Sequence, residues 1–280
     1  MERRLSTNEH GVSQARLDEL QNYYDESVID LAQTFYPDAV NTHTHTDSDR
    51  QYLTHILESE SASKFNFDPS RKTLFMLQGP RASGKSVIQN IMINKLGFNK
   101  VINTTTRPRR AGEQDGRDYY FIDDMAYEGL VANDAFVHKC ERPGRGSYGI
   151  TADEVIRRMS ADGNGALIEE EPKYLIQLLK SEALSELSDV NKVLLYTFPP
   201  NPAIATLYQR LQKRQNEESD PAKRVITEEI FNNNINEGQF ENFLQMKELV
   251  NYPEIQPLFL VSEDPESTEQ KLRKLFKKET

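Results

Sequence analysis

Hydrophobic positions along the chain change period several times, and each change marks an element. Leu17, Leu20, Tyr24, Val28 and Leu31 recur at helical spacing and predict a helix over about 14–34. A polar stretch, NTHTHTDSDR, follows, then a shorter apolar-periodic piece through Tyr52, Leu53, Ile56 and Leu57. Residues 73–78 form a continuous apolar run fit for a buried strand, and Val87, Ile88, Ile91, Met92 and Leu96 return to helical spacing. Buried strands are predicted again at 166–168, 193–196 and 258–261, with a charged helix after the second of these and a terminal helix over Glu266–Lys278. The late cations of that last helix suit its C-terminal end. Strands alternating with helices predict an α/β fold with a mainly parallel sheet.

Composition narrows the classes. The chain is 37% hydrophobic and carries a net charge of −10. Its mean hydropathy is −0.70, and no apolar run is long enough to span a membrane. The opening MERRLSTNEHGVSQ lacks the apolar stretch of a secretory signal, and the single cysteine, Cys140, excludes an internal disulfide and a Cys-cluster metal site. These features predict a cytoplasmic protein without a membrane or nucleic-acid partner. The charge is uneven: residues 1–70 hold 13 acidic against 5 basic side chains, so the other 210 residues are nearly neutral. An acidic, partly helical extension over 1–70 is therefore expected before a body over 71–280. His43 and His45, with Asp47 and Asp49 nearby, would share a face on a strand as metal ligands do, but a solvated polar loop is the stronger reading. No chemistry is assigned to the extension. Packing on the body, holding a protein partner and carrying a targeting signal all stay open for it.

Directly after the apolar run 73–78 comes Gly79-Pro80-Arg81-Ala82-Ser83-Gly84-Lys85-Ser86, and the next helix opens at its end. This is GxxxxGKS in the setting it requires, between a strand and a helix. Glycines let successive backbone N–H groups turn toward phosphates, and the helix N-terminus adds its partial positive charge. Lys85 is expected at the β and γ phosphates of ATP and the Ser86 hydroxyl on Mg²⁺, with the backbone of Gly79, Arg81, Ala82, Ser83 and Gly84 around the phosphates.

Downstream, Thr104-Thr105-Thr106-Arg107-Pro108-Arg109-Arg110-Ala111-Gly112-Glu113-Gln114-Asp115-Gly116-Arg117-Asp118-Tyr119-Tyr120-Phe121 gathers arginines before an aromatic strand, a pattern suited to a second phosphate. This run closely resembles the substrate-phosphate motif of the guanylate kinase family, and the resemblance extends from about residue 73 to the C-terminus. It implies a P-loop kinase core, a small acceptor-binding subdomain near 103–150 and a mobile lid near 205–228. It further implies that Arg107, Arg110, Tyr119 and Tyr148 hold the acceptor phosphate, with Glu113 orienting that cluster.

Around the base, the resemblance implies His138 where relatives carry a glutamate, and Glu171 for their second acidic contact. Asn103 stands for a serine, and Ile150 for a small hydroxyl residue. A neutral histidine cannot present the paired acceptors of a carboxylate. Glu141, three residues on, is expected on the opposite strand face. Glu169, ending the apolar run, falls where such kinases carry an acid that positions Mg²⁺. In the lid, Arg210, Arg214 and Arg224 match arginines that close over the triphosphate. Residues 226–257 look longer than in relatives and receive no role.

The expected reaction is Mg²⁺-dependent transfer of the ATP γ-phosphoryl group to GMP or dGMP. Two other readings stay open. One is a kinase of the same fold with another phosphorylated acceptor. The other is a catalytically silent binding module, against which the retained Lys85, Ser86 and lid arginines speak.

Overall fold

The computed structural model describes residues 12–41, 47–66, 68–142, 144–182, 187, 189–217, 228–236, 240 and 245–276. His43, His45 and Arg224 lie outside these residues, as does the part of the expected lid over 218–227. The elements run α1 Gln14–Phe35, α2 Pro37–Asn41, α3 Asp47–Lys64, β1 Thr73–Gln78, α4 Lys85–Asn94, β2 Phe98–Lys100, β3 Thr104–Thr105 and β4 Tyr120–Phe121. They continue with α5 Asp124–Ala132, β5 Phe136–Arg142, β6 Gly146–Thr151, α6 Ala152–Ser160, β7 Gly165–Glu169, α7 Pro172–Lys180 and β8 Asn191–Phe198. Last come α8 Ala203–Asn216, α9 Glu228–Asn234, a 3₁₀ helix Gln245–Asn251, β9 Ile255–Val261 and α10 Pro265–Phe276. A mainly parallel five-stranded sheet has the order β2-β7-β1-β8-β9, and a four-stranded sheet has the order β4-β3-β6-β5. This is the α/β architecture expected from the alternating pattern.

Contacts divide the chain into two compact units. The first takes the described residues up to Asn66, then Gln78–Ile88 and Leu195 onward. The acidic N-terminal segment therefore shares a unit with the phosphate loop and the C-terminal strands. Its first helix forms as the periodicity predicts. Ser13 caps α1 by accepting from the Arg16 N–H at 3.2 Å, and Leu17, Leu20, Tyr24, Val28 and Leu31 are all buried. Each such burial contributes about 2 kcal/mol. The Tyr24 ring meets Phe240 edge-on at 5.3 Å, while Asp30 pairs with Lys247 at 2.7 Å.

Three hydrogen bonds of this segment satisfy backbone groups that would otherwise be open. Helix α8 begins behind Pro202, which supplies no capping side chain, and the Gln21 Oε1 of α1 accepts from the Ile204 N–H at 2.9 Å. Strand β9 ends the sheet order, so one side of its backbone lacks a strand partner. Helix α3 lies along that side. The Ser61 Oγ accepts from the Phe259 N–H at 3.0 Å and the Glu58 Oε1 from the Val261 N–H at 2.9 Å. Covering an edge in this way prevents it from pairing with another chain.

The second unit comprises Phe67–Leu77 and Gln89–Leu194. Its β1 and β2 both pair in parallel with β7, Leu74 facing Ala166 and Phe98 facing Gly165. In the smaller sheet β6 is antiparallel to both β5 and β3, with Cys140 opposite Tyr148 and Thr105 opposite the same tyrosine. Alternation along β5 places His138, Cys140 and Arg142 on one face, and Glu141 is exposed on the other.

Because Glu58 closes an edge amide and also pairs with Lys271 at 3.1 Å, Glu58→Ala should lower unfolding stability by about 1–2 kcal/mol. Tyr52, 62% exposed on the same helix, should tolerate Tyr52→Ser within about 0.5 kcal/mol. Urea titration of both variants checks the contrast.

Candidate active site

The phosphate loop sits in the first unit. Gly79 and Gly84 adopt φ of 146° and 113°, and Ala82 takes a φ of 66° between them. Neither glycine leaves room for a side chain: a Cβ at 79 would lie 2.6 Å from the Thr197 carbonyl oxygen, and one at 84 would lie 2.3 Å from the Ser262 Oγ. The Lys85 ammonium, in the first turn of α4, donates to the carbonyls of Gly79 at 2.7 Å and Pro80 at 3.0 Å and so braces the loop. Ser83 Oγ is buried without a hydrogen-bond partner, an orphaned polar atom that fits a phosphate-binding cradle. Ser86 and Arg81 are exposed.

Arg210 of α8 reaches this loop. Its guanidinium donates to the Ala82 carbonyl at 3.1 Å and to the carbonyls of Ser262 and Glu263 at 2.6 and 2.9 Å. Burial, and then the neighbouring Arg214, work against its charge and lower its pKa. Arg214 is exposed in the last turn of the helix. In the second unit, Glu169 is exposed at the end of β7 and accepts from the Gln89 amide at 3.3 Å. A serine hydroxyl and a carboxylate are each hard oxygen donors of the kind that Mg²⁺ takes.

The second unit also holds the arginine cluster. Arg107 is 8% exposed. Its two terminal nitrogens make parallel bonds to the Glu113 carboxylate at 3.0 and 2.8 Å, and one of them also donates to the Pro108 carbonyl. That fork raises the Arg107 pKa and, together with the Arg110 N–H on the same carboxylate, holds Glu113 below the usual carboxylate range. Above the guanidinium lies the Tyr119 ring at 5.3 Å, and Tyr119 meets Tyr148 edge-on at 6.0 Å. The Arg110 side chain is exposed. The structure thus brings Arg107, Glu113, Tyr119 and Tyr148 together.

At the other side of this cluster the residues gather differently from the expectation. Glu171 is 39% exposed and pairs with Arg142 at 3.5 Å and Lys173 at 3.4 Å. Glu170 takes the inward place instead, its side chain 7% exposed. The Asn103 amide donates to it, and the His138 Nε2 stands 3.8 Å away. His138 is 2% exposed and stacks on Tyr174 at 4.0 Å. Neither of its nitrogens completes a well-formed hydrogen bond. Strand alternation carried one residue past β7 would have placed Glu170 on the face opposite Glu169, a signal that reading by motif position passes over. Arg142, over the Tyr148 ring at 5.1 Å, was legible from the same alternation along β5.

Burial sets the protonation here. It raises the Glu170 carboxyl to about 7, opposed by the Asn103 bond and by Arg142. It lowers the His138 imidazole to about 4, with the Gln177 side chain working against the shift. His138 is therefore neutral near pH 7 and forms no ion pair with Glu170. The folded pKa of Glu170 lies above its ordinary value of 4.5. Stability linked to that proton is therefore present below about pH 4.5 and lost as pH rises through about 7. Glu170→Gln should remove this loss. Its gain over the parent should grow from almost nothing at pH 4 to about 1–3 kcal/mol at pH 8. Unfolding titrations across that range check it, and a gain independent of pH would contradict it.

Known proteins resemble this chain. The family model described as guanylate kinase matches residues 71–251. A guanylate kinase of Coxiella burnetii is 28% identical over 151 residues, which are 54% of this chain and 68% of that protein. One from Thermus thermophilus is 33% identical over 144 residues, 51% of this chain and 60% of its own length. A crystal structure of guanylate kinase from Anaplasma phagocytophilum covers 74% of this chain and 85% of its own, at 18% identity and a TM-score of 0.43. The family match takes in more than half of the chain, including the phosphate loop and the arginine cluster, and this chain belongs to the guanylate kinase family.

Proposed function

We propose that the chain transfers the γ-phosphoryl group of ATP to a nucleoside monophosphate, with GMP or dGMP as the acceptor and GDP or dGDP as the product. The observation that carries this reading is the Arg107–Glu113 fork beneath Tyr119 and beside Tyr148, in a chain that also keeps a complete phosphate loop. A guanidinium already oriented by a carboxylate, with two tyrosines nearby, suits a phosphate dianion that must be held in line for attack. The acceptor phosphate is itself anionic, so no strong general base is needed. Positioning and charge neutralisation carry the rate.

In this reading the loop amides of residues 79–84 and the Lys85 ammonium take the ATP phosphates. Lys85 then exchanges its two loop carbonyls for phosphate oxygens. Arg210, held on the loop backbone by three carbonyls, supplies positive charge beside the transferring group, joined by Arg214 and Arg224 on lid closure. Ser86, at the end of the loop, would ligate Mg²⁺, which when bound neutralises phosphate charge. The partners in this reading are small-molecule nucleotides, met in a cytoplasmic setting. Among the described residues no helix is long and apolar enough to cross a membrane.

The buried neutral His138 favours one second reading, a kinase of this fold with another phosphorylated acceptor. A silent binding module fits less well, because it has no use for Lys85 and Arg210 gathered on one loop. Such a module should show no thermal shift with Mg-ATP.

ADP release with Mg-ATP should be fastest with GMP and dGMP among a panel that includes AMP, CMP and UMP. Lys85→Ala should lower kcat by about 10²–10³-fold. Arg107→Ala should lower kcat/KM for the acceptor by roughly 10²-fold while leaving KM for ATP near its parent value. Turnover confined to a different acceptor would replace the GMP reading.

A further inference from the structure

The N-terminal segment carries no assigned chemistry, yet its polar contacts gather on the two elements that hold Arg210. We infer that Gln21 and Glu58 are positioning residues for the Arg210 guanidinium, which makes a segment lying ahead of the matched stretch part of the phosphoryl-transfer machinery. The inference rests on the reading proposed above, in which Arg210 supplies positive charge beside the transferring group.

The seat of Arg210 is backbone. Its guanidinium spans the Ala82 carbonyl of the phosphate loop and the carbonyls of Ser262 and Glu263, just beyond β9. These bonds use only part of its donor fork, so the group is held without being used up. Its placement therefore depends on where α8 stands and on where the chain runs after Val261. The N-terminal segment acts on both.

Glu58 of α3 acts on the chain after β9. One of its oxygens accepts from the Val261 N–H at 2.9 Å, and the carboxylate pairs with Lys271 of α10 at 3.1 Å. The same ammonium donates to the Val261 carbonyl at 3.1 Å and pairs with the Glu263 carboxylate at 3.2 Å. Glu58 and Lys271 thus grip the residues on either side of Ser262. Ser262 itself donates its N–H to the Phe198 carbonyl at 2.9 Å.

Gln21 of α1 acts on α8. Pro202 gives that helix no capping side chain, and the Gln21 Oε1 accepts from the Ile204 N–H at 2.9 Å. The Gln21 amide is aimed by its own bond to Asp25 at 2.9 Å. Arg210 follows within about two turns of Ile204 on the same helix. A helix moves as a rigid element, so a shift at its start reaches the guanidinium. Misplacing a group at the reacting centre by about 1 Å costs about 10²-fold in rate.

Steady-state kinetics of the full chain with Mg-ATP and GMP, read beside urea unfolding, test this. Glu58→Ala and Gln21→Ala should each lower kcat roughly 5–30-fold and change KM for GMP by less than about twofold. Gln21→Glu keeps an acceptor for the Ile204 N–H at a helix start that favours negative charge, and should bring kcat back to within about threefold of the parent. Ser61→Ala opens the Phe259 amide of the same strand. It should lower the urea midpoint about as much as Glu58→Ala does while holding kcat within about twofold of the parent. In an Arg210→Ala background, Glu58→Ala should change kcat by less than about twofold, because the group it positions is gone. A merely structural role would lower kcat by the same factor in both backgrounds. That equal fall overturns the inference and leaves the function standing, as does a kcat within about twofold of the parent for both Glu58→Ala and Gln21→Ala. A parent that turns over no nucleoside monophosphate overturns both.

Discussion

The close approach of backbone at Gly79 and Gly84 is the constraint on which the loop between β1 and α4 depends. The loop between β1 and α4 can pass Thr197 and Ser262 only where no Cβ intrudes. That approach lets Lys85 close onto the carbonyls of Gly79 and Pro80 and presents the Ala82 carbonyl to Arg210. Replacing either glycine would push the loop off the wall that Arg210 also uses. The turn of the loop, the Lys85 contacts and the Arg210 contact thus follow from one steric fact.

The acidic N-terminal segment acquires a physical role from the same unit. Its helices do not simply cover apolar surface. Gln21 closes the open start of α8, the helix that carries Arg210, and Glu58 and Ser61 close the amides of β9. A backbone donor left open and dry costs about as much as a lost hydrogen bond. The segment is therefore tied to the fold by polar geometry as well as by Leu17, Leu20, Tyr24 and their neighbours. The family match begins at residue 71, so this bracing comes from outside the matched stretch.

The region from Arg107 to Glu170 is governed by burial acting on charge. Arg107 and Glu113 keep their charges because each satisfies the other in a bidentate pair. Glu170 and His138 are also buried but find no opposite charge in bonding contact, and both shift toward neutrality. One end of the site is thus a fixed electrostatic clamp and the other is adjustable, with a carboxyl near its midpoint at neutral pH.

Much of this was legible in the sequence, because local periodicity and backbone chemistry are local properties. The helical spacing of Leu17 through Leu31 produced α1, the apolar run 73–78 produced β1, and GxxxxGKS between strand and helix implied the loop. Arg107, Glu113 and Tyr119 of the arginine-rich run stand together, with Tyr148, which only the family resemblance pointed to, beside them. Position in a motif did not decide which of three consecutive glutamates points inward. That depends on where β7 ends, on α7 starting at Pro172, and on Asn103 and Arg142 competing for Glu170 and Glu171. Nor could charge counting reveal that an acidic segment caps α8 and β9, since those contacts join residues about 180 to 200 positions apart. The sequence by itself determined which chemistry is present, and only the tertiary structure decided which side chains are dry, paired and facing one another, because burial and hydrogen-bond geometry arise from packing distant segments together.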